Sequence, residues 1–205
     1  MNRKLGWSTI FLWLVLSASL TAGERYEPRL GFRLGFQGGV TLPHFGGAAN
    51  AGWNSTAGPV FGAYATYSFN SIVAMQGGVL YTTKGAEKSS AIDKITLRYV
   101  QFVGMIRINP PLSKWDRKRD FLPKILFGLS EGVKASDNFY YVDASDNYTV
   151  HKTDPSILLG GGFDVPVDAR WRVTFDVLFD ISFDSFTDYR DLKNNAVLFM
   201  MGLAF

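Results

Sequence analysis

From Trp171 to Asp180 bulky and polar side chains take turns: Trp171, Val173, Phe175, Val177 and Phe179 fall on one face, and Arg172, Thr174, Asp176, Leu178 and Asp180 on the other. Period-two alternation is the signature of a β-strand with two unlike faces. A strand tilted in a bilayer needs roughly 9–11 residues to cross it, and the stretch from Arg170 to Asp180 is that long. One such strand fits a sandwich as well as a membrane barrel, so the rest of the chain has to decide.

The same period recurs in order. It predicts strands over Arg29–Leu42, Phe61–Phe69, Val73–Thr82, Ile95–Ile108, Pro123–Val133, Ile157–Val165, Arg170–Asp180 and Ala196–Phe205. Between them, Pro43–Ala57, Gly85–Lys94, Ala135–Asp154 and Ile181–Asn194 read as long polar loops. Asn70-Ser71 and Pro166–Ala169 read as tight turns, and the segment from Asn109-Pro110-Pro111 to Asp120 is intermediate. An even strand count with short and long connections in alternation is the grammar of transmembrane barrels. Thr96 and Arg98 interrupt the apolar face of the fourth strand near one end.

Summed over the strands, the bulky face is apolar. The opposite face collects small residues together with Arg33, Gln37, Gln76, Gln101, Arg107, Lys124, Asp164, Arg172, Asp176 and Asp180. A soluble lipocalin-like barrel needs the reverse arrangement, and a sandwich needs a second apolar layer that the chain does not supply. Aromatic residues fall where interfacial girdles belong, Phe69, Trp171 and Phe205 near one rim and Phe61, Tyr81 and Phe179 near the other. The expected fold is therefore all-β, an eight-stranded antiparallel up-and-down transmembrane β-barrel of the OmpA/OmpX kind. Unpaired edges are costly in hydrocarbon, so the first strand should close on the last. Eight strands leave an interior only wide enough for side chains, which argues against a porin-like channel. Instead Arg33, Arg107, Lys124, Asp164, Arg172, Asp176 and Asp180 should pair as an interior charge network, with acids from the sixth to eighth strands.

The chain begins with a basic Met1–Lys4, an apolar Leu5–Leu16 and a small-residue Ser17–Gly23, the layout of a secretory signal peptide (1–23) ahead of a single barrel domain (24–205). With no cysteine there is neither a disulfide framework nor a lipid-attachable residue at the signal's end. Of 21 basic side chains, loss of Arg3 and Lys4 leaves 19 against 18 acidic ones, so nucleic acid is not the implied partner. Seventeen Phe, nine Tyr, five Trp and 21 Gly suit an all-β barrel. No nucleotide-binding loop, zinc spacing or calcium loop occurs, so no cofactor or metal is expected.

Several stretches resemble a family. Arg33-Leu-Gly-Phe-Gln-Gly-Gly-Val-Thr-Leu42 resembles the glycine-rich first strand of the PorT-like outer-membrane β-barrel proteins, and Leu80-Tyr-Thr-Thr-Lys-Gly85 resembles their Leu-Tyr-x-x-Lys-Gly strand end. Leu97-Arg-Tyr-Val-Gln-Phe102 is similar to their Tyr-x-Glu-aliphatic-Pro segment, with Gln101 in place of the acid and Val103 in place of the proline. The resemblance implies a small barrel in the outer membrane of a Gram-negative bacterium with periplasmic termini, and its named member is associated with a secretion apparatus.

Three functions compete. Phe139, Tyr140, Tyr141 and Tyr148, set among Asn and Asp, resemble a partner-binding loop on a non-enzymatic barrel. A membrane-embedded hydrolase or acyltransferase would have to use His44 or His151, the latter near Asp143 and Asp154, but no nucleophile motif surrounds them. A role beside a secretion or transport system would draw on the basic run Lys114, Arg117, Lys118 and Arg119. The expected partners are outer-membrane lipids and lipopolysaccharide, the barrel-assembly machinery through the C-terminal strand ending in Phe205, and an envelope protein.

Overall fold

A computed structural model describes residues 30–46, 53–88, 94–110, 121–140, 151–185 and 193–205. The strands are β1 (Gly31–Gly46), β2 (Trp53–Ser55), β3 (Gly58–Ser68), β4 (Val73–Lys88), β5 (Lys94–Ile108), β6 (Leu122–Tyr140), β7 (Thr153–Pro166), β8 (Arg172–Ser182) and β9 (Lys193–Ala204). All neighbours are antiparallel, and eight of the strands close in the order β1-β3-β4-β5-β6-β7-β8-β9, with β9 back on β1. The expected signal peptide lies outside the described residues.

Closure and parity can be read from one circuit of the register. Phe32 pairs with Tyr67, then Met75, Ile106, Phe127, Leu159, Phe179 and Val197 follow in turn, and Val197 pairs with Leu42. Every member of that ring is apolar. The circuit returns to β1 ten residues beyond its start, the stagger that a closed barrel with strands tilted by about 35–45° requires. One residue over, the ring reads Arg33, Thr66, Gln76, Met105, Gly128, Leu158, Asp180, Ala196 and Pro43. A single-residue step thus separates a hydrocarbon face from a mixed interior, because successive side chains point to opposite faces.

The outer wall carries a band of exposed apolar side chains that includes Leu34, Phe36, Val40, Phe61, Met75, Val79, Phe102, Ile125, Phe127, Leu129, Leu159, Phe179 and Phe199. In water such a belt would be far larger than a soluble surface tolerates, whereas lipid tails match it. Its turn-side rim is aromatic: Trp171 lies 5.1 Å from Phe205, Tyr67 5.2 Å from Phe69, and Phe163 4.5 Å from Phe121 and 4.8 Å from Phe175. On the loop side Phe61 stacks on Tyr81 at 5.0 Å. No helix among the described residues is long and apolar enough to cross a membrane, which leaves the strands to do it.

The short connections gather at the end where β1 starts and β9 finishes. There the Asn70 side chain accepts from the backbone N–H groups of Ile72 and Val73, and Asp168 does the same for Arg170 and Trp171, which is why links of only four and five residues suffice. Phe205 and Leu34 exchange two backbone hydrogen bonds across the seam. Small residues let the narrow wall curve: a Cβ on Gly35 would collide with the inward Tyr64 side chain, and one on Gly162 with the Phe175 carbonyl.

The strands differ from the expected ones at the other end. β1 runs on to Gly46, β4 to Lys88 and β6 to Tyr140, while β5 starts at Lys94, so much of what reads as loop is paired strand. Glu87 opposite Lys94 and Ile95 opposite Phe139 carry the pairing beyond the apolar belt. Polar loop-like composition continues there as strand because the backbone groups find partners whatever the side chains are. This also accounts for Thr96 and Arg98: Ile95, Leu97 and Tyr99 are buried inward, and the two polar residues face outward above the belt. Trp53–Ser55, inside the expected loop Pro43–Ala57, continues the line of β3 against Ala86–Lys88.

Candidate functional site inside the barrel

The inward positions of each strand pass from polar to apolar and back to polar. On β8 they read Arg172, Thr174 and Asp176, then Leu178, then Asp180 and Ser182. On β7, running the other way, they read Asp154 and Ser156, then Leu158, and finally Asp164 beyond the inward glycines. The lumen is consequently filled in three layers.

The turn-side layer centres on Asp164. Its carboxylate accepts from Arg107 at 2.7 Å and from Lys124 at 2.8 Å, with Arg172 3.7 Å away; Lys124 also pairs with Asp176 at 2.7 Å. Lys124, Asp164 and Asp176 are buried, and strands β5 to β8 each supply a member. Six of the seven residues expected in the network are buried inside, and five of them meet here. Arg33 stands apart from this cluster, half-buried at the turn-side mouth beside Leu30, Phe32, Trp171 and Phe205 around a recess of about 360 Å³.

Above it Val60, Leu80, Val103, Met105, Leu126, Leu158, Leu178, Ala196, Leu198 and Met200 meet as one apolar cluster. The paired charges expected inside are joined here by an apolar layer that the summed inner face did not include: Leu80, Leu158, Leu178 and Leu198 point inward and are at most 2% exposed. Alternation assigns them to the inner face, but their hydrophobicity reads as lipid-facing when residues are sorted by type.

The loop-side layer centres on a lysine that sequence reading placed at a strand end. Lys84 is fully buried and reaches Asp180 at 2.8 Å, Asp154 at 3.0 Å and the Asn194 carbonyl at 3.3 Å, and its ammonium lies over the Tyr99 ring, 5.7 Å from the centroid. Asp154 also accepts from Ser182 at 2.6 Å and from the Asn194 amide at 3.2 Å, and Gln101 donates to Asp180 at 2.8 Å. Lys84 and Asp154 were missed because the expected strands stop at Thr82 and begin at Ile157; the pairing that continues β4 and β7 past those points carries the same parity on and turns both residues inward. The last strand supplies Asn194 where an acid was expected.

The two layers hold Lys84, Arg107, Lys124 and Arg172 against Asp154, Asp164, Asp176 and Asp180, equal numbers of each sign among the buried described residues. A buried charge left alone costs several kcal/mol, so this balance is what lets the interior be ionic at all. Chemically the arrangement suits a sealed plug. Asp154 is engaged by Lys84, Ser182 and Asn194, His44 is an exposed residue at the far end of β1, and Asp143 lies outside the described residues. Among the described residues no group of three or more His, Cys, Asp or Glu could hold a metal ion. Of the aromatic loop, Phe139 and Tyr140 belong to β6, paired with Ile95 and Lys94, whereas Tyr141 and Tyr148 lie outside the described residues, as does the run Lys114–Arg119.

A closed barrel with a lipid-facing belt, aromatic rims and a filled interior is matched by one protein-family model, that of the outer membrane protein beta-barrel domain, across residues 10–205. The chain belongs to that family. Solved barrels of similar fold to this outer membrane protein beta-barrel domain include OprG of Pseudomonas aeruginosa (TM-score 0.58, 11% identity, covering 86% of this chain and 97% of that one). They also include Neisserial surface protein A (TM-score 0.53, 11% identity, 85% and 96% covered) and the outer membrane protein W of Escherichia coli (TM-score 0.50, 15% identity, 87% and 100% covered). At these identities the likeness is one of fold. No curated protein matches the chain. The outer-membrane beta-barrel domain is thus an integral barrel protein, and its bacterial address follows from the family.

Proposed function

We propose that the protein is a non-enzymatic outer-membrane barrel of a Gram-negative bacterium, with both chain ends in the periplasm and the long connections outside, where they contact a surface partner or lipopolysaccharide. The observation that carries this reading is the contrast between the two halves of the molecule. The lumen is filled by apolar and ion-paired layers, while β4, β5 and β6 run on past the belt to Lys88, Lys94 and Tyr140. A filled barrel transports nothing through its centre, so the raised strands and their connections are what remain to act. The segment Tyr141–Tyr148, with aromatic residues among Asp and Asn, has the composition of a recognition surface.

Deleting Tyr141–Tyr148 spares the paired end of β6. The shortened protein should still migrate on gels as a heat-modifiable barrel while losing crosslinked partners or lipopolysaccharide contact. Unchanged partners and surface behaviour would rule the loop out.

A second reading, assembly beside a secretion system, draws on the resemblance to the PorT-like proteins. The two motif stretches run side by side, Lys84 opposite Leu97 and Leu80 opposite Gln101, and both contribute to the loop-side polar layer. Crosslinking in cells followed by pulldown separates the readings, since only this one expects periplasmic or secretion components. Phe205, at the exposed end of the closing strand, is the residue we assign to the barrel-assembly machinery.

A further inference from the structure

The buried charges balance over the whole lumen but not within each layer. On the turn side Arg107, Lys124 and Arg172 stand against Asp164 and Asp176, a surplus of one positive charge. On the loop side Lys84 is the one buried cation among the described residues and stands against both Asp154 and Asp180, a surplus of one negative charge. The leucine layer lies between the two, so neither surplus can pair with the other. Nearer the loop-side mouth Lys134 and Asp137 pair at 2.6 Å and add no net charge. Fully buried carboxylates are stable only when a cation answers them.

Hydrogen bonding in the loop-side layer shows the same deficit. Lys84 has three N–H groups, and it directs them to Asp180, Asp154 and the Asn194 backbone carbonyl. Gln101 and Asn194 give amide N–H groups to Asp180 and Asp154, which fixes the orientation of both side chains. What is left over is oxygen. Oδ1 of Asp180, the side-chain carbonyls of Gln101 and Asn194, and the hydroxyls of Thr82 and Tyr99 are buried without a hydrogen-bond partner, and each of these residues is at most 1% exposed. Thr82 and Tyr99 face each other across β4 and β5, and Gln101 is the next inward residue on β5. Carboxylate, carbonyl and hydroxyl oxygens with no sulfur or ring nitrogen are the donors that hard cations take. A single positive charge neutralises the layer, whereas a divalent ion would leave it positive.

We propose that the loop-side layer binds one monovalent alkali cation beside Lys84, held by Asp180 and the amide carbonyls of Gln101 and Asn194, with Thr82 and Tyr99 completing the shell. The ion would tie β4, β5, β8 and β9 together and lock the loop-side end of the plug. To test it, the protein is refolded into phosphatidylcholine vesicles and unfolded in urea, with sodium chloride replaced stepwise by choline chloride at constant ionic strength and pH. Heat-modifiable migration confirms that each barrel is folded at the start. Once the site begins to fill, each tenfold rise in sodium should raise the wild-type folding constant about tenfold, which choline is too large to do. Asp180→Asn removes the surplus charge at nearly constant shape, so it should fold and be indifferent to sodium. Thr82→Val removes one oxygen and no charge, and it should keep the response but need about tenfold more sodium to reach it. Equal wild-type stability in sodium and choline, or a full sodium response in Asp180→Asn, would overturn the site. A wild-type stability that follows pH and ignores sodium would assign the surplus charge to a proton and overturn it as well.

Discussion

Lys84 shows how much a single inward side chain can decide. Its ammonium is the one buried cation in the loop-side layer among the described residues, and it answers both Asp154 and Asp180. Replacing it by Met would leave two carboxylates facing each other without a counter-charge, and removal of one partner of a buried ion pair typically costs about 3–5 kcal/mol. We expect Lys84→Met to lower stability by that amount in urea unfolding from lipid vesicles, and adding Asp154→Asn and Asp180→Asn to recover most of it. If the single variant unfolds like wild type, the pairing is not what holds this layer. Lys84 was visible in the sequence as a motif residue at a strand end; its burial was not, because the strand was expected to stop at Thr82. Six of the seven charged residues picked from alternation alone are buried inside, since parity along a paired strand leaves no freedom of face.

At the level of strands, period two placed every barrel strand near its observed position, and the turn-side ends agree best. Phe61–Phe69 and Arg170–Asp180 fall within a few residues of β3 and β8, where Asn70 and Asp168 stop the strands through their own side-chain hydrogen bonds. The loop-side ends were underestimated at β1, β4 and β6, because hydrophobic alternation ends with the bilayer while backbone pairing continues into water. The strands also set the orientation of the lipid face. Leu159 belongs to the all-apolar outward ring, and an arginine there would enter the hydrocarbon near mid-height. Leu159→Arg should cost about 2–4 kcal/mol in refolding equilibria from phospholipid vesicles. Its neighbour in sequence, Leu158, faces the apolar core, so Leu158→Ala should instead show the cavity cost of a buried leucine, about 2–5 kcal/mol, in detergent and lipid alike. Equal behaviour of the two in every medium would mean that the faces are misassigned.

For the whole molecule, the three-layer filling predicts electrical silence. Ions would have to cross both ion-paired layers and the leucine layer between them, so planar bilayers containing the pure protein should show no steady single-channel conductance. A stable open level would remove the plugged-barrel reading and return the protein to the porin-like class. By itself the sequence determined the class of fold, the number of barrel strands, the face of most side chains within the apolar belt, and most of the charged residues that go inside, because alternation and turn chemistry are local and a bilayer enforces them strand by strand. Tertiary structure alone decided which charges meet, that Lys84 and Asp154 join them, and that the inward leucines of different strands gather into one layer between the two ionic ones. Those are contacts between strands distant in the chain. They depend on the ten-residue stagger of the closed register, which no single strand records.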